Sequence, residues 1–372
     1  MDRSFALAPQ SVVAPGQIRR GRGTVGLLGE WVRRWGSRPL VIGGPQTLER
    51  WQETVTALFD SAGLQAGFDH YGIDCTEQSA ERLVDVAARH DVIVGLGGGK
   101  ALDMAKLVAS RAQLPVIAVP TSAATCAGWA PLSNIYSEAG MWLYGVELDH
   151  APEGLLIDYD LIATAPVRTL ISGMGDALAK WYEASVSSGE SDDPLVISAV
   201  QQARVLRDLI LLLGGQAVRE VGGRAWEQMV DASICLAGVV GGLGGARCRT
   251  VAAHAIHNAL TSLPATRRSL HGEKVALGIL LQLRLEENVG RQRLAGIARE
   301  QLEQFYREVG LPLALADLQL GSIGDEQLYQ VAELCCRPDS DIHHLPFEVN
   351  AQQVFAVLRD SSEQPVYPGW RR

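Results

Sequence analysis

Asp91-Val92-Ile93-Val94-Gly95-Leu96-Gly97-Gly98-Gly99-Lys100-Ala101-Leu102-Asp103-Met104-Ala105-Lys106 is the stretch that decides the fold of this chain. Its apolar run is too short for a helix and ends in glycine, so it reads as a buried strand. Residues 101–111 then take up a helical period. A strand, a glycine turn and a helix joined without a break form the opening of a strand–helix–strand unit. Three glycines let backbone N–H groups come close to an anion, and the helix N-terminus adds the positive end of its dipole. The turn therefore reads as a phosphate cradle, although it is neither GxGxxG nor a P-loop. Asp103 and Lys106 lie one turn apart on the helix, as a local ion pair or as functional groups.

Working outward, strands are expected at 39–44, 115–120 and 155–158, with helices at 48–62 and 79–89. This spacing predicts right-handed crossovers and a parallel sheet, with a ligand beyond the C-terminal strand ends. The loop Pro120-Thr121-Ser122-Ala123-Ala124-Thr125-Cys126 would sit at that edge. After Pro166 the period becomes helical, with helices expected over 170–187, 195–213, 225–238, 251–263, 271–288, 292–309 and 325–336. The reading is α/β plus all-α, with an α/β nucleotide-binding domain over 1–166 and a helical metal-binding domain over 167–372.

Within the helical half, three titrating residues stand in apolar, helix-prone surroundings: Asp176, His254 and His271. Such groups are costly there without a partner, and one divalent cation would satisfy all three. One carboxylate and two imidazoles suit Zn²⁺ or Fe²⁺ and leave coordination positions open, as catalytic sites do. His257 shares a helix face with His254, as a proton relay or as a hydrogen-bonding support. A metal, a nucleotide and no evident nucleophile point to hydride transfer. His70, His90 and His150 fall near predicted turns and are expected at the surface. His343 and His344 are adjacent, point apart, and are not expected to chelate.

The 372 residues suffice for two domains, and the net charge of −9 argues against a nucleic-acid partner. Residues 1–9 lack a signal-peptide core, and no run approaches the roughly 20 apolar residues of a membrane span. Six scattered cysteines form no CxxC pair, so reduced thiols and a cytoplasmic location are expected.

Residues 97–106, 173–184, 252–258 and 271–276 together, in this order, resemble the motifs of glycerol dehydrogenases, within the metal-dependent, iron-type alcohol dehydrogenase family. The resemblance covers roughly residues 20 to 310. It implies an N-terminal Rossmann-like domain, a C-terminal helical domain, an active site in the cleft between them, and a homo-oligomer acting on a small molecule. Asp176, His254 and His271 carry over as metal ligands. Gly97, Gly98, Gly99 and Lys100 carry over to the pyrophosphate. Gly44, Thr121, Ser122, Thr125, Leu132 and Tyr136 carry over to the cofactor groove.

Two departures shape the expected activity. Glycerol dehydrogenases hold the diol with an Asp where this chain has Cys126, a poor acceptor. Residues 124–133 look closer to hydroxycarboxylate dehydrogenases, and losing a carboxylate removes repulsion against an acidic substrate. A 2-hydroxy acid/2-oxo acid pair is therefore expected, with glycerol or a 1,2-diol as the alternative. Lys180, Arg247 and Arg249 are the cations available to a substrate carboxylate. NAD users place an acid after the second strand, whereas Ile42-Gly43-Gly44-Pro45-Gln46 has none; NAD(P) is expected, leaning to NADP. Sugar-phosphate cyclase relatives would need a more basic pocket, and the intact Asp-His-His set argues against a nucleotide-binding protein without activity.

Overall fold

The computed structural model describes residues 12–362. The chain opens with β1 (Gln17–Gly21), α1 (Leu28–Val32), β2 (Pro39–Gly43), α2 (Pro45–Ser61), β3 (Gly67–His70) and α3 (Glu77–Ala87). It continues through β4 (Val92–Gly97), α4 (Gly99–Ala112), β5 (Val116–Pro120), the pair β6 (Leu132–Tyr136) and β7 (Trp142–Glu147), then β8 (Gly154–Asp158) and α5 (Tyr159–Ala163). Six strands form one parallel sheet in the order β1-β8-β5-β4-β2-β3. The direction of winding reverses between β2 and β4. Gly43 pairs with Leu96, and Gly97 with Pro120, so β2, β4 and β5 finish side by side at that switch point. This is where a doubly wound sheet takes its ligand.

The four inner strands are buried along their whole length. Helices cover both faces, which is why these strands read as unbroken apolar runs. The edges do not read that way. β1 is Gln-Ile-Arg-Arg-Gly and largely exposed, and β3 is Gly-Phe-Asp-His. Short polar edge strands protect a sheet from further pairing, and they also hide it from a hydropathy reading.

The antiparallel hairpin of β6 and β7 is a second addition to the expected fold. Asp103 and Lys106 explain its position. The buried Lys106 ammonium lies 3.1 Å from Asp103 Oδ1 and donates to the carbonyls of Ala130, at 2.8 Å, and Leu132. Asp103 Oδ2 accepts from the Asn134 N–H at 3.2 Å. The pair therefore fastens the hairpin to α4, which resolves the two readings in favour of structure.

The helical half comprises α6 (Val167–Ser188), α7 (Pro194–Arg219), α8 (Arg224–Asp231), α9 (Ala237–Gly244), α10 (Ala252–Leu260), α11 (His271–Asn288), α12 (Arg293–Val309), α13 (Asp325–Cys335) and α14 (Ala351–Ser362). The single helix expected over 225–238 is interrupted by a π-helical turn at Ala232–Leu236, and α14 is not among the expected helices. One apolar cluster joins the halves, packing Leu102, Ala118 and Leu155 with Met174, Ala177 and Leu178.

Helix α6 approaches its neighbours backbone to backbone. A Cβ on Gly173 would lie 1.8 Å from the Ala123 carbonyl oxygen, and one on Gly272 would lie 1.8 Å from that of Ser172. Ser172 Oγ accepts from the Gly272 N–H at 3.0 Å, which fixes α11 on α6. Gly272→Ala is expected to destabilise the chain by about 1–3 kcal/mol or more, because backbone cannot yield as a side chain can. Gly241→Ala, whose nearest neighbour would be Arg249 Cγ at 3.8 Å, should be neutral or mildly stabilising. Denaturant titration of both variants checks this; equal midpoints would remove the close-approach argument.

Candidate active site

Asp176, Lys180 and Glu183 stand at i, i+4 and i+7 on α6 and so share one helix face. All three are buried, at 4%, 6% and 0% exposure. Buried charges demand partners, and the adjoining helices supply them to the two carboxylates. His254 rises from α10, and His271 opens α11.

Asp176 Oδ1 lies 3.2 Å from His271 Nε2 and 3.5 Å from His254 Nε2. Three ligand atoms, one from each residue, lie within 4.8 Å of one another. A tetrahedral cation with bonds of about 2.0–2.1 Å separates its ligands by about 3.3 Å, so the cluster has the dimensions of a coordination shell. Three protein donors would leave the fourth position open. Burial alone would raise the Asp176 carboxyl, but hydrogen bonds from His254 and His271 and the nearby Lys180 charge hold it well below the usual range.

The support of His254 was not foreseen from the sequence. Its Nδ1 lies 2.5 Å from Glu183 Oε2. An ionised carboxylate can only accept, so Nδ1 carries a proton, and Nε2, on the Asp176 side, is the nitrogen that would give up its own proton to bind a cation. Glu183 Oε1 also accepts the backbone N–H of Val251, at 2.7 Å, and of His254, at 3.0 Å, at the start of α10. The signal was available: Glu183 lies two helical turns beyond Asp176 in an apolar stretch. Burial would lower the His254 imidazole, but Glu183 and Asp176 outweigh it and hold it up at about 9.

His257 stays outside the three-donor cluster. Its ring centroid is 4.2 Å from that of His271, and its Nδ1 lies 2.9 Å from Asn258 Oδ1. Burial, reinforced by the positive charge of His271, Lys274 and His254, holds His257 well below 6.5, so it is neutral at physiological pH.

The glycine turn lies where the strand ends meet. Gly98 caps α4, and the N–H groups of Gly99, Lys100 and Ala101 occupy its first turn, where a helix offers no carbonyl. The Thr121 N–H donates to the Gly97 carbonyl at 3.0 Å, bringing the second loop against the first. A Cβ on Gly99 would stand 3.0 Å from Thr125 Oγ1, and one on Gly98 would stand 3.4 Å from Ser122 Oγ. The turn, Ser122 and Thr125 thus lie side by side, and the amides at the start of α4 suit a pyrophosphate. Gly44 caps α2 at the end of the neighbouring strand, beside the Tyr71 hydroxyl. Leu132 and Tyr136 are the end residues of β6. The Lys100 ammonium pairs with Asp74 and lies 5.2 Å from the Tyr136 ring centroid. Lys100 thus brings its backbone N–H to the turn and its ammonium to Asp74.

Cys126 follows this loop and is desolvated; burial raises its thiol, Lys180 lowers it, Asp176 raises it, and the net direction is upward. Of the cations expected near the cleft, Arg249 pairs with Glu147 at 2.5 Å, and the Arg247 side chain lies outside the described residues. His70 and His150 are exposed, whereas His90 is half-buried with Nδ1 3.1 Å from the Arg38 carbonyl. His343 and His344 lie against the carbonyls of Arg337 and Thr250, away from each other's partners. All six cysteines are free thiols, and among the described residues no helix is long and apolar enough to cross a membrane.

Comparison with known proteins converges on the same group. The sequence pattern described as iron-containing alcohol dehydrogenase matches residues 15–159. An uncharacterized oxidoreductase of Synechocystis sp. is 50% identical over 357 residues, covering 95% of this chain and 91% of that protein. Hydroxycarboxylate dehydrogenase A of Escherichia coli is 38% identical over 292 residues, 77% of this chain and 79% of that protein. The crystal structure of a probable glycerol dehydrogenase from Sinorhizobium meliloti superposes with a TM-score of 0.84 at 30% identity, covering 95% of this chain and 98% of that one. The chain is an oxidoreductase of the iron-containing alcohol dehydrogenase family, in its glycerol dehydrogenase-like branch.

Proposed function

We propose that this chain is a metal-dependent, NAD(P)-linked dehydrogenase that interconverts a small 2-hydroxy acid and its 2-oxo acid and accepts NADP. The observation that carries the reading is the donor set: a carboxylate and two imidazoles at coordination spacing, one imidazole already oriented by Glu183. Asp176, His254 and His271 would hold a Zn²⁺ or Fe²⁺ ion. Bound there, the ion supplies Lewis acidity toward the substrate oxygen, and the bound dinucleotide accepts or donates hydride.

The remaining work falls to the chain. The amides of the first turn of α4 bind the pyrophosphate, and Gly44, Thr121, Ser122, Thr125, Leu132 and Tyr136 border the cofactor. His257 is neutral and its Nδ1 proton is committed to Asn258, which leaves Nε2 to take up the hydroxyl proton and return it in reverse. The sum is 2-hydroxy acid plus NAD(P)⁺ giving 2-oxo acid, NAD(P)H and one proton. Cys126 presents a protonated thiol in place of a carboxylate, which favours an acidic substrate, in keeping with the name of the Escherichia coli relative. Acceptance of NADP rests on the absence of an acid in Gly43-Gly44-Pro45-Gln46. Likeness to a probable glycerol dehydrogenase supports a second reading, oxidation of a 1,2-diol.

Stripping with a chelator should abolish oxidation of the 2-hydroxy acid, with return on adding Zn²⁺ or Fe²⁺; turnover undiminished by complete stripping removes the Lewis-acid step. Below pH 9 the cation must displace the proton of His254, so its apparent affinity should rise about tenfold per pH unit from pH 6 to 8. Competitive zinc titration reads that slope, and a flat profile contradicts it. Cys126→Asp should shift the ratio of kcat/KM values toward 1,2-diols by about tenfold or more, through restored diol acceptance and repulsion of a carboxylate. An unmoved ratio favours the diol reading.

A further inference from the structure

Lys180 is the buried charge of this cleft that the structure leaves unanswered. It is 6% exposed, yet among the described residues it makes no hydrogen bond or ion pair. Its nitrogen is not sealed in the core, since it is absent from the fully enclosed polar atoms that lack a partner. It therefore keeps a small opening to solvent. One helical turn from Asp176, its charge acts on Asp176, His254 and Cys126 together.

The carboxylates nearby are already engaged. Asp176 spends Oδ1 between two imidazoles, and both oxygens of Glu183 serve His254 and the start of α10. With a divalent cation bound, Asp176 and Glu183 contribute two negative charges against three positive ones from the ion and Lys180. One positive charge is left without a counter-charge in a site poorly exposed to water. A neutral diol would leave it so, whereas a substrate carboxylate would cancel it. Cys126 sits where a carboxylate would otherwise compete for the ammonium.

We infer that Lys180 is the carboxylate anchor of this enzyme: its ammonium binds the acid group of a 2-oxo or 2-hydroxy acid whose neighbouring oxygen faces Asp176, His254 and His271. This rests on the 2-hydroxy acid reading and adds to it the residue that selects the acid. It also chooses among the cations near the cleft. Arg249 is paired with Glu147, and Lys274 is turned to the Ser269 carbonyl at 3.0 Å.

The test uses the zinc-loaded full chain with NADPH or NADH. Oxamate, an unreactive 2-oxo acid analogue, is titrated by quenching of reduced-nicotinamide fluorescence. kcat/KM is compared for 2-oxobutanoate and its neutral partner 1-hydroxy-2-butanone. Lys180→Met should weaken oxamate by about 30-fold or more and lower kcat/KM for the oxo acid at least about tenfold further than for the ketone. Lys180→Arg should recover part of the oxamate affinity. Equal losses on acid and ketone, or unchanged oxamate binding, overturn the assignment. If Lys180→Met does not fold, reductive methylation of the wild type decides: oxamate should shield Lys180 from labelling, and undiminished labelling refutes the anchor. A wild type that does not prefer the oxo acid refutes the 2-hydroxy acid reading itself. A wild type that prefers it, with the preference unmoved in Lys180→Met, refutes only the role of Lys180.

Discussion

The arrangement at the cleft depends on how closely three helix backbones can approach. Donors of one cation must lie about 3.3 Å apart, and the side chains of Asp and His are short. Helices α6, α10 and α11 must therefore run nearer than ordinary side chains permit. Glycine at position 272 removes the obstruction, and the Ser172 hydroxyl then accepts from the buried N–H of Gly272. Gln282 repeats the device between α11 and α10 by accepting the Ala253 N–H at 3.0 Å. Close packing and polar fastening thus act at the same places, and the metal-spaced donors are their outcome.

A parallel logic joins the two halves. Gly173 lets α6 rest on the carbonyl of Ala123, in the middle of the loop that carries Thr121, Ser122 and Thr125. That loop and the helix that carries Asp176 are therefore in direct contact. The hairpin adds a second bridge, since the Trp142 N–H donates to Thr261 Oγ1 at 2.8 Å and Arg267 donates to the Ala139 carbonyl at 2.8 Å. The 121–125 loop and the hairpin are thus placed against the helical half by packing on one side and by hydrogen bonds on the other.

Much of this was legible in the residues, for reasons that differ from place to place. The inner strands declare themselves because burial on both faces forces an apolar run. Asp176, His254 and His271 stand out because a titrating group in an apolar helix needs an explanation. The edge strands β1 and β3 carry no such mark, because exposure is what an edge requires. The hairpin β6–β7 is held by Lys106, Asp103 and three backbone groups, and backbone partners leave no trace in a sequence. Lys100 followed the motif in its main chain, but Asp74, distant in sequence, took its ammonium. Glu183 could have been found by counting turns from Asp176, whereas its second task at the start of α10 needed three dimensions.

That double duty makes Glu183 a shared point of failure. One carboxylate both aims the His254 ring and satisfies two of the free amides that begin α10. Loss of that carboxylate consequently releases the imidazole and two amides of the helix start together. Such economy narrows the ways this cleft can drift, with the Gln282 contact to Ala253 left to hold the start of α10 when this carboxylate lets go. Any sequence change that spares the three donors but alters this carboxylate would disarm the centre while leaving its recognisable residues in place.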